Sequence, residues 1–549
     1  MRALLLAALT CFAACDGTIL GSRPEAPART SPPPPVVVPP SPVPEPVDPP
    51  RVVPPFAPAP ARMHRLTQSQ LKHALVEHFG VEVTTALPPD VTAVTFASLG
   101  AARVASNEQD VERYDAMARE VAETLATRAD RPWAGCRPTN VQDACVTTWL
   151  SNTTRLLFRR SATAAELTTL RAVVTAGGTE SAALELGLRW ALVAMLQSPA
   201  FLYQAWDSQA SADGFRRLSG AALASRLAFF LWDSVPDEAL LDAAEAGELD
   251  TSEGLSRTVD RMLADPRARD AGGRFFSEAW GVSALTSFSR STTLYPAWGD
   301  ALLGSMRREF TTRVNDVTTA DADLRTLFDG QRGYADATLA GVYGVTATGF
   351  GPVSFDERRR GLLTSAAVLT ASNTHTESSA PILRGLFVLE RLLCRSMPTP
   401  PAGLLDRVLA EEVHKPARSN KTRVEERRAD PTCWGCHQQM DPVGLTFEHF
   451  DGIGRHRTQA GMFPVESDGA FDLRPVSSAP DLSAMLRDDP RVTRCMTEQL
   501  LSAATGHVLR PSEERAVDAA LASFETSGFR FGALARAIAT SDAFRLVAP

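Results

Sequence analysis

The sequence has no dense tract of lysine or arginine, and its formal net charge is −8 with a pI near 5.7. Nucleic-acid-binding domains present basic patches that neutralise phosphates, so this composition excludes a nucleic-acid partner from our expectations. The chain also lacks a Ser-His-Asp arrangement, a Gly-rich phosphate loop and a His-Glu-x-x-His zinc motif. Without these motifs the sequence gives no support to a hydrolase, and whether the protein is an enzyme stays open.

Long apolar runs are scarce, and the N-terminal segment holds the most extended one. Arg2 and the apolar run from Ala3 to Ala14 predict an export signal, and no later segment has the ~18 apolar residues that span a membrane. Phe12–Cys15 resembles a bacterial lipoprotein processing site. We therefore interpret residues 1–15 as a lipoprotein signal peptide with Cys15 as the lipidated residue, and a plain secreted protein is the alternative.

The predicted location is outside the cytoplasm, on the periplasmic or cell-surface side, with an outer-membrane lipoprotein as the favoured form. Residues 16–62 follow as a Pro-rich linker, and 17 of the 39 prolines lie between Gly21 and Arg62. Repeated proline fixes φ and removes backbone donors, so we expect an extended spacer between a membrane anchor and the folded part.

Strand-like alternation is also sparse, and helical periodicity dominates the rest. One apolar stripe comprises Leu184, Leu188, Ala191, Leu192, Met195 and Leu196, and it ends before Pro199. Ser219 is placed to cap the next helix, and Pro236–Glu238 has the composition of another helix start, with Pro236 at the first helical position. We predict a mainly α fold of several helical modules, with a small irregular or β segment near Phe463–Phe471.

The most informative stretch is Cys433-Trp434-Gly435-Cys436-His437. A Cys-x-x-Cys-His run is typical of c-type haem attachment: two thiols one helical turn apart bind the porphyrin, and the His coordinates the iron. Flanking Pro431 and Pro442 predict a short helical turn between bends. The alternatives are a plain Cys433–Cys436 disulfide, and a metal site or redox dithiol.

The other cysteines suggest two disulfides. Of the eight cysteines, Cys11 would leave with the signal peptide, Cys15 would carry lipid and two belong to the motif, so four thiols remain, which allow three pairings in an oxidising compartment. Cys136 and Cys145 are nine residues apart and predict a local bridge. Cys394 and Cys495 would then form the second bridge, and a free pair is the alternative.

Candidates for a sixth iron ligand follow the motif. Met462 is the first choice because it lies in a Gly-Met-Phe-Pro context, and Met485, Met496 and His507 come after it. Met440 is three residues past His437 and so would lie on the same side of a haem. An open sixth position would instead permit peroxide or oxygen chemistry.

Charged residues surround the same region. We expect a salt-bridge network that orders the loop after the motif, while an acid/base pair or guanidinium groups near haem propionates are the alternatives. Its members are Asp441, Glu448, Asp451, Arg455 and Arg457. Asp468, Gly469 and Asp472 lack the full spacing of a calcium loop, so we do not expect calcium.

Several segments together resemble a family of exported bacterial proteins built from domains of unknown function 1587, 1595, 1592, 1588 and 1585. The matching segments are, in order, Met63–Thr67; Leu157–Tyr203; Ser225–Trp232 with Arg261–Arg267; Arg360–Leu363 with Ser379–Gly385 and Asp441–Leu445; and Cys495–Phe544. Relatives of this kind often occur beside cytochrome-c-like modules, and many carry a His where this chain has Arg427. The resemblance implies modules at residues 63–128, 129–206, 215–346, 355–458 and 480–547.

Together these patterns predict a membrane-anchored exported protein that carries one c-type haem and transfers electrons to a redox protein partner. The iron would be held by His437, the porphyrin by Cys433 and Cys436, and Met462 is the proposed opposite ligand. The alternatives are a non-enzymatic surface binding or structural lipoprotein with a Cys433–Cys436 disulfide, and a haem peroxidase-like enzyme.

Overall fold

A computed structural model describes residues 53–91, 95–103, 106–133, 135–136, 139–177, 181–204, 207–211, 214–375, 378–412 and 414–549. The predicted signal peptide, the lipidation at Cys15 and the linker as far as residue 52 lie outside these residues. In the described part no helix is long and apolar enough to cross a membrane. Of the described residues 58% are helical and only 8% lie in strands, which makes this part of the chain mainly α, as the sequence predicts.

The N-terminal helices lie within the first two predicted modules, residues 63–206. They are α1 (Gln68–Phe79), α2 (Ala97–Ala101), α3 (Glu108–Ala126), α4 (Ala144–Phe158), α5 (Ala164–Ala176), α6 (Ser181–Leu196) and α7 (Pro199–Leu202). The predicted stripe lies on α6, and its six residues are buried. Thr67 caps α1 by accepting a hydrogen bond from the backbone N–H of Gln70.

The central helices surround the largest core. They are α8 (Gly220–Leu231), α9 (Glu238–Glu245), α10 (Ser252–Ala264), α11 (Ala271–Ala279), α12 (Asp300–Thr319), α13 (Ala337–Tyr343), α14 (Ala366–Ala371) and α15 (Pro381–Phe387). Ser219 caps α8, as the sequence predicts. At α9 the prediction is wrong by two residues, because Asp237 is the N-cap and Pro236 lies outside the helix.

The C-terminal helices are α16 (Leu404–Glu412), α17 (Asn420–Ala429), α18 (Pro431–Leu445), α19 (Ala479–Arg487), α20 (Pro490–Thr505), α21 (Glu514–Thr526), α22 (Phe531–Thr540) and α23 (Asp542–Arg545). Short 3₁₀ turns join many elements, at Glu248–Asp250, Pro266–Asp270, Val282–Ser287, Leu324–Phe328, Leu362–Thr364 and Pro511–Glu513. A π-helical turn, Val388–Leu392, continues α15.

The strands are short and pair antiparallel. They are β1 (His64–Arg65), β2 (Tyr203–Gln204), β3 (Ser208–Ala210), β4 (Arg216–Leu218), β5 (Arg332–Ala335), β6 (Gly351–Ser354), β7 (Gln459–Ala460), β8 (Phe463–Pro464), β9 (Gly469–Phe471), β10 (Arg474–Val476) and β11 (Leu546–Val547). The pairs are β1–β2, β5–β6, β7–β8 and β9–β10, and β4 lies between β3 and β11. The β7–β10 hairpins follow the Cys-x-x-Cys-His motif, where the sequence predicts a small β segment.

Two hydrophobic cores organise the described chain. One is formed mainly by α1, α3, α4 and α6, so the first two predicted modules share it. The other is formed mainly by α8, α10–α12, α14 and α18–α22, so the remaining three also share one core. Most of these helices bury an apolar stripe, and neighbouring modules complete each other's cores.

The last residues of the predicted linker contact the folded part. The amide of Ala548 donates to the carbonyl oxygen of Ala59 at 3.0 Å, and Ser512 Oγ donates to that of Ala57 at 2.7 Å. Phe56 packs edge-on against Phe215 at 5.9 Å between ring centroids. Residues 56–59 therefore lie against the folded part, because their carbonyls and the Phe56 ring find partners on its surface, and the extended spacer stays a prediction for the rest of the linker.

Candidate functional site

The Cys-x-x-Cys-His motif lies in the first half of α18. Asp430 caps this helix by accepting from the backbone N–H of Thr432 at 2.7 Å, and Pro431 occupies the first turn, where no N–H partner is needed. The helix then continues through Pro442 to Leu445. The prediction of a short turn between bends is wrong, because tertiary packing holds the helix across the proline.

That packing comes from α15, which crosses α18 with almost no side chain between the two backbones. A Cβ atom on Gly385 would lie 1.9 Å from the carbonyl oxygen of Met440, and one on Gly444 would lie 1.7 Å from that of Pro381. Only glycine allows so close an approach. The second half of α18 is consequently buried, and it anchors the motif to the core.

The two motif thiols are unpaired, and each is half-buried. Burial first, and the Asp430 carboxylate second, raise the pKa of the Cys433 thiol. Trp434, between them, is 52% exposed, and a Cβ on Gly435 would meet no described atom within 4 Å. The first two turns of α18 therefore place both thiols next to an exposed Trp434 and an open position at Gly435.

His437 is oriented by a buried carboxylate. Its Nδ1 lies 2.9 Å from Oδ1 of Asp441, one helical turn further on, and Asp441 has no exposed surface. An ionised carboxylate can only accept, so Nδ1 is the donor of this hydrogen bond and Nε2 is the ring nitrogen left to face a ligand. The second carboxylate oxygen accepts from Nε of Arg427 at 3.0 Å. This arrangement is the usual support for a metal-binding imidazole.

A second ion-pair network lies behind the motif helix. Oε2 of the buried Glu448 accepts from Arg457 at 3.0 Å, from Asn420 at 2.7 Å and from Ser379 at 3.1 Å. Asp451 Oδ1 accepts instead from the amides of Ile453 and Arg455. The loop after α18 is thus ordered by buried polar contacts, which agrees with the predicted network.

Met462 lies away from the motif. It is 80% exposed on the β7–β8 hairpin and lines a cavity of about 350 Å³ with Glu448 and Arg457. Cys433, Cys436 and His437 do not line that cavity. Met496 is buried in the central core, and Met485 packs against that core. Nε2 of His507 is hydrogen-bonded to Oε1 of Glu513 at 2.9 Å. The structure does not test which residue would be the sixth iron ligand, so Met462 stays a prediction.

The remaining cysteines pair as the sequence predicts. Disulfides join Cys136 to Cys145, and Cys394 to Cys495. The second bridge attaches α20 to the segment that follows α15, and α15 is the helix packed against α18. It therefore fastens the support of the motif to the C-terminal helices.

Sequence reasoning missed the role of Arg427. It noted only that relatives often carry a His at this position, whereas the structure places the guanidinium against Asp441. The spacing of His437 and Asp441, four residues apart on one helix, is the signal that could have revealed their pairing. Among the described residues, no group of three or more His, Cys, Asp and Glu side chains is arranged to hold a metal ion.

Four family models match the chain. They are described as Protein of unknown function DUF1595 at residues 145–205, DUF1592 at 218–345, DUF1588 at 359–460 and DUF1585 at 473–544. The DUF1588 model, named PSCyt3, includes α15, α17 and α18. No curated protein and no solved structure matches the chain. The protein therefore belongs to the multi-module family that combines these planctomycete-type, cytochrome-c-associated domains.

Proposed function

We propose that this protein carries one c-type haem on α18 and transfers electrons. The observation that supports the proposal is the combination of two unpaired, half-buried thiols one turn apart with a His whose Nδ1 is already engaged by Asp441. The residues fit the group: Cys433 and Cys436 would hold the porphyrin and His437 Nε2 would face the iron. When bound, the haem would supply one-electron chemistry.

The chain's own residues would tune that chemistry. Asp441 fixes the imidazole's orientation and makes it a stronger donor, because a carboxylate partner raises the basicity of the ring. Arg427 shares the same carboxylate and offsets part of its negative charge. If haem is bound, the Asp441 carboxylate behind His437 would favour oxidised iron and lower the reduction potential, and Arg427 would moderate that effect.

Intact-mass measurement tests the proposal in a host competent for c-haem maturation. We expect one added haem and a Soret band that survives denaturation, because thioether bonds are covalent. Cys436→Ser should weaken attachment, and His437→Ala should keep the covalent haem but lose the native spectrum. Mature protein without haem mass, with Cys433 and Cys436 free or joined to each other, would instead favour a non-enzymatic binding or structural protein.

A peroxidase-like enzyme is the second candidate, and the His437–Asp441 hydrogen bond favours it. His437 supported by Asp441 would hold a haem through a basic imidazole, and a haem held in this way would supply peroxide chemistry. Carbon monoxide separates the two functions, since the reduced iron of an electron-transfer site with two axial ligands would not bind it. Rapid binding would support the enzyme.

We also propose that lipid on Cys15 anchors the protein outside the cytoplasm, where a redox protein would be its partner. The small residues before Cys15 and the Pro-rich segment after it support this location. Cys15→Ala should release the protein from the membrane fraction. Full retention of that variant in the membrane fraction would contradict the anchor.

A further inference from the structure

A cavity of about 850 Å³ lies among helices that the proposed haem function does not use. Its walls come from α1, α8, α11 and α12, and the paired strands β1 and β2 contribute His64 and Gln204. No residue of the Cys-x-x-Cys-His motif lines it. Cavities of this size between packed helices are typical of small-molecule sites, and the lining residues decide which kind of molecule fits.

The formal charges around the cavity balance, because four carboxylates and four lysine or arginine side chains line it. The carboxylates are those of Asp90, Asp233, Asp270 and Glu278. Among the cations, Arg226 is only 6% exposed. Burial first, and the charge of Arg226 second, lower the pKa of His64 to about 3, so this imidazole is neutral. An ion in the cavity would be attracted by one set of charges and repelled by the other, so the lining favours a neutral ligand.

Two buried amide side chains line the cavity without a full set of partners. Gln204 is 8% exposed, and its side chain makes no hydrogen bond to another described residue. Gln70 is 6% exposed, and its Oε1 accepts from the backbone amide of Thr67 at 3.2 Å, while its Nε2 has no acceptor among the described residues. An amide removed from bulk water costs free energy until it is paired. Both side chains therefore call for a ligand that donates and accepts hydrogen bonds.

The carboxylates add further acceptor positions. The two oxygens of Asp90 share one donor, the backbone amide of Gln68, at 3.1 and 3.2 Å. Oε2 of Glu278 accepts from the amide of Ala97 at 3.0 Å, and its Oε1 has no hydrogen-bond partner among the described residues. An ionised carboxylate has about four lone-pair positions, so each of these acids can accept from a ligand as well.

An apolar wall completes the lining. The rings of Phe96 and Phe275 stack at 5.7 Å between centroids, with 9° between their planes. Both residues line the cavity although they are only 3% and 8% exposed. The negative face of an aromatic ring attracts the positive edge of a C–H group. The cavity therefore combines paired-off charges, unfilled amide positions and a flat apolar surface.

We propose that this cavity binds a neutral sugar, whose hydroxyl groups pair with the side-chain amides of Gln70 and Gln204 while its C–H face lies against Phe96 and Phe275. Each hydroxyl is both a donor and an acceptor, so one group can accept from an amide N–H and donate to a carboxylate. A sugar ring also presents C–H groups that suit the apolar wall. A charged ligand of the same size would bury its charge without a dedicated partner.

Isothermal titration calorimetry of the mature protein tests the proposal with D-glucose, D-galactose and D-mannose, each compared with its amino-sugar and uronic-acid derivatives. At least one neutral hexose should bind at concentrations up to ~10 mM, and its two charged derivatives should bind about tenfold more weakly. No binding of any neutral hexose, or tighter binding of a charged derivative than of its parent, would overturn the proposal. The measurement does not depend on haem, so its result is independent of the proposed function.

Gln204→Leu separates a binding role from a structural one. It should weaken binding of the hexose about three- to tenfold, because a hydrogen-bonding side chain is lost, yet it should not lower the urea midpoint, because the amide has no partner in the protein to lose. Gln209→Leu, at an exposed position of β3, is the matched control and should leave the affinity unchanged. Unchanged affinity in a folded Gln204→Leu variant would overturn the proposal. If circular dichroism shows that this variant is unfolded, the comparison of neutral with charged sugars on the wild type decides alone.

Discussion

Replacing Asp441 with Asn probes the contact that links the motif to the rest of the protein. The wild-type carboxylate offers two acceptor oxygens, one for His437 at 2.9 Å and one for Arg427 at 3.0 Å. Asn has the same shape but only one acceptor, and its amide would face a donor on the other side. One charge-assisted hydrogen bond is therefore lost in a position with no exposed surface.

The expected cost follows from the kind of bond. A hydrogen bond to a charged group contributes ~1.5–3 kcal/mol, so Asp441→Asn should reduce the free energy of unfolding by about that amount. Removing the carboxylate altogether with Asp441→Ala should cost ~3–5 kcal/mol, because Arg427 then loses its partner. The order of the two variants is as informative as the size of either effect.

Urea unfolding of the haem-free protein, followed by circular dichroism and by tryptophan fluorescence, measures these differences. Asp468→Asn, at an exposed position after the motif, is the matched control and should leave the midpoint unchanged. A double-mutant cycle with Arg427→Gln isolates the Arg427–Asp441 term. If Asp441→Asn and Asp468→Asn unfold alike, the buried network does not stabilise the motif helix and the reasoning fails.

Three further predictions address the support of the site. Gly444→Ala should lower the free energy of unfolding in urea by more than ~3 kcal/mol, since its Cβ would lie 1.7 Å from the Pro381 carbonyl oxygen. Gly341→Ala is the control, because a Cβ there would lie in open space and should cause no such loss. Equal unfolding midpoints for the two variants would contradict the close packing. The double variant Cys394→Ser, Cys495→Ser should lose ~4–5 kcal/mol of unfolding free energy, because this bridge closes a loop of 101 residues. Removing the Cys136–Cys145 bridge, which closes a loop of 9 residues, should cost less. The reverse order in denaturant unfolding would be inconsistent with loop-closure entropy. The raised pKa of Glu278, about 7 against 4.5, predicts that wild type loses stability relative to Glu278→Gln as pH rises from about 4.5 through 7, because the folded state holds that proton more tightly; parallel stability curves would refute this.

Local patterns predicted the helices well where apolar stripes and caps agree. Ser219 caps α8 because its hydroxyl accepts from the amide of Ala222, a contact within one turn. The boundary at Pro236 was misplaced, because proline and the Asp that follows it are both common at helix starts, and only the backbone decides which one begins the helix. Such errors of one or two residues are inherent in a local signal.

The helix that carries the motif, α18, was not predicted correctly from local patterns. The five motif residues identify two thiols and a His, but the length of α18 depends on α15, which lies more than 40 residues earlier in the chain. Proline inside a helix predicts a break from local terms alone. The close contact at Gly385 and Gly444 outweighs that preference, and no pattern around Pro442 reveals it.

The sequence by itself determined the mainly α fold, the Cys-x-x-Cys-His spacing and the two disulfide pairs, because helical periodicity and the small number of thiols restrict the choices. Only the tertiary structure decided that Arg427 of α17 meets Asp441 of α18, and that Asp90, Asp233 and Glu278 share one cavity. The physical reason is range: caps and stripes act within a turn or two, whereas these contacts join residues 14 to almost 190 positions apart. Their partners are fixed by how the helices pack.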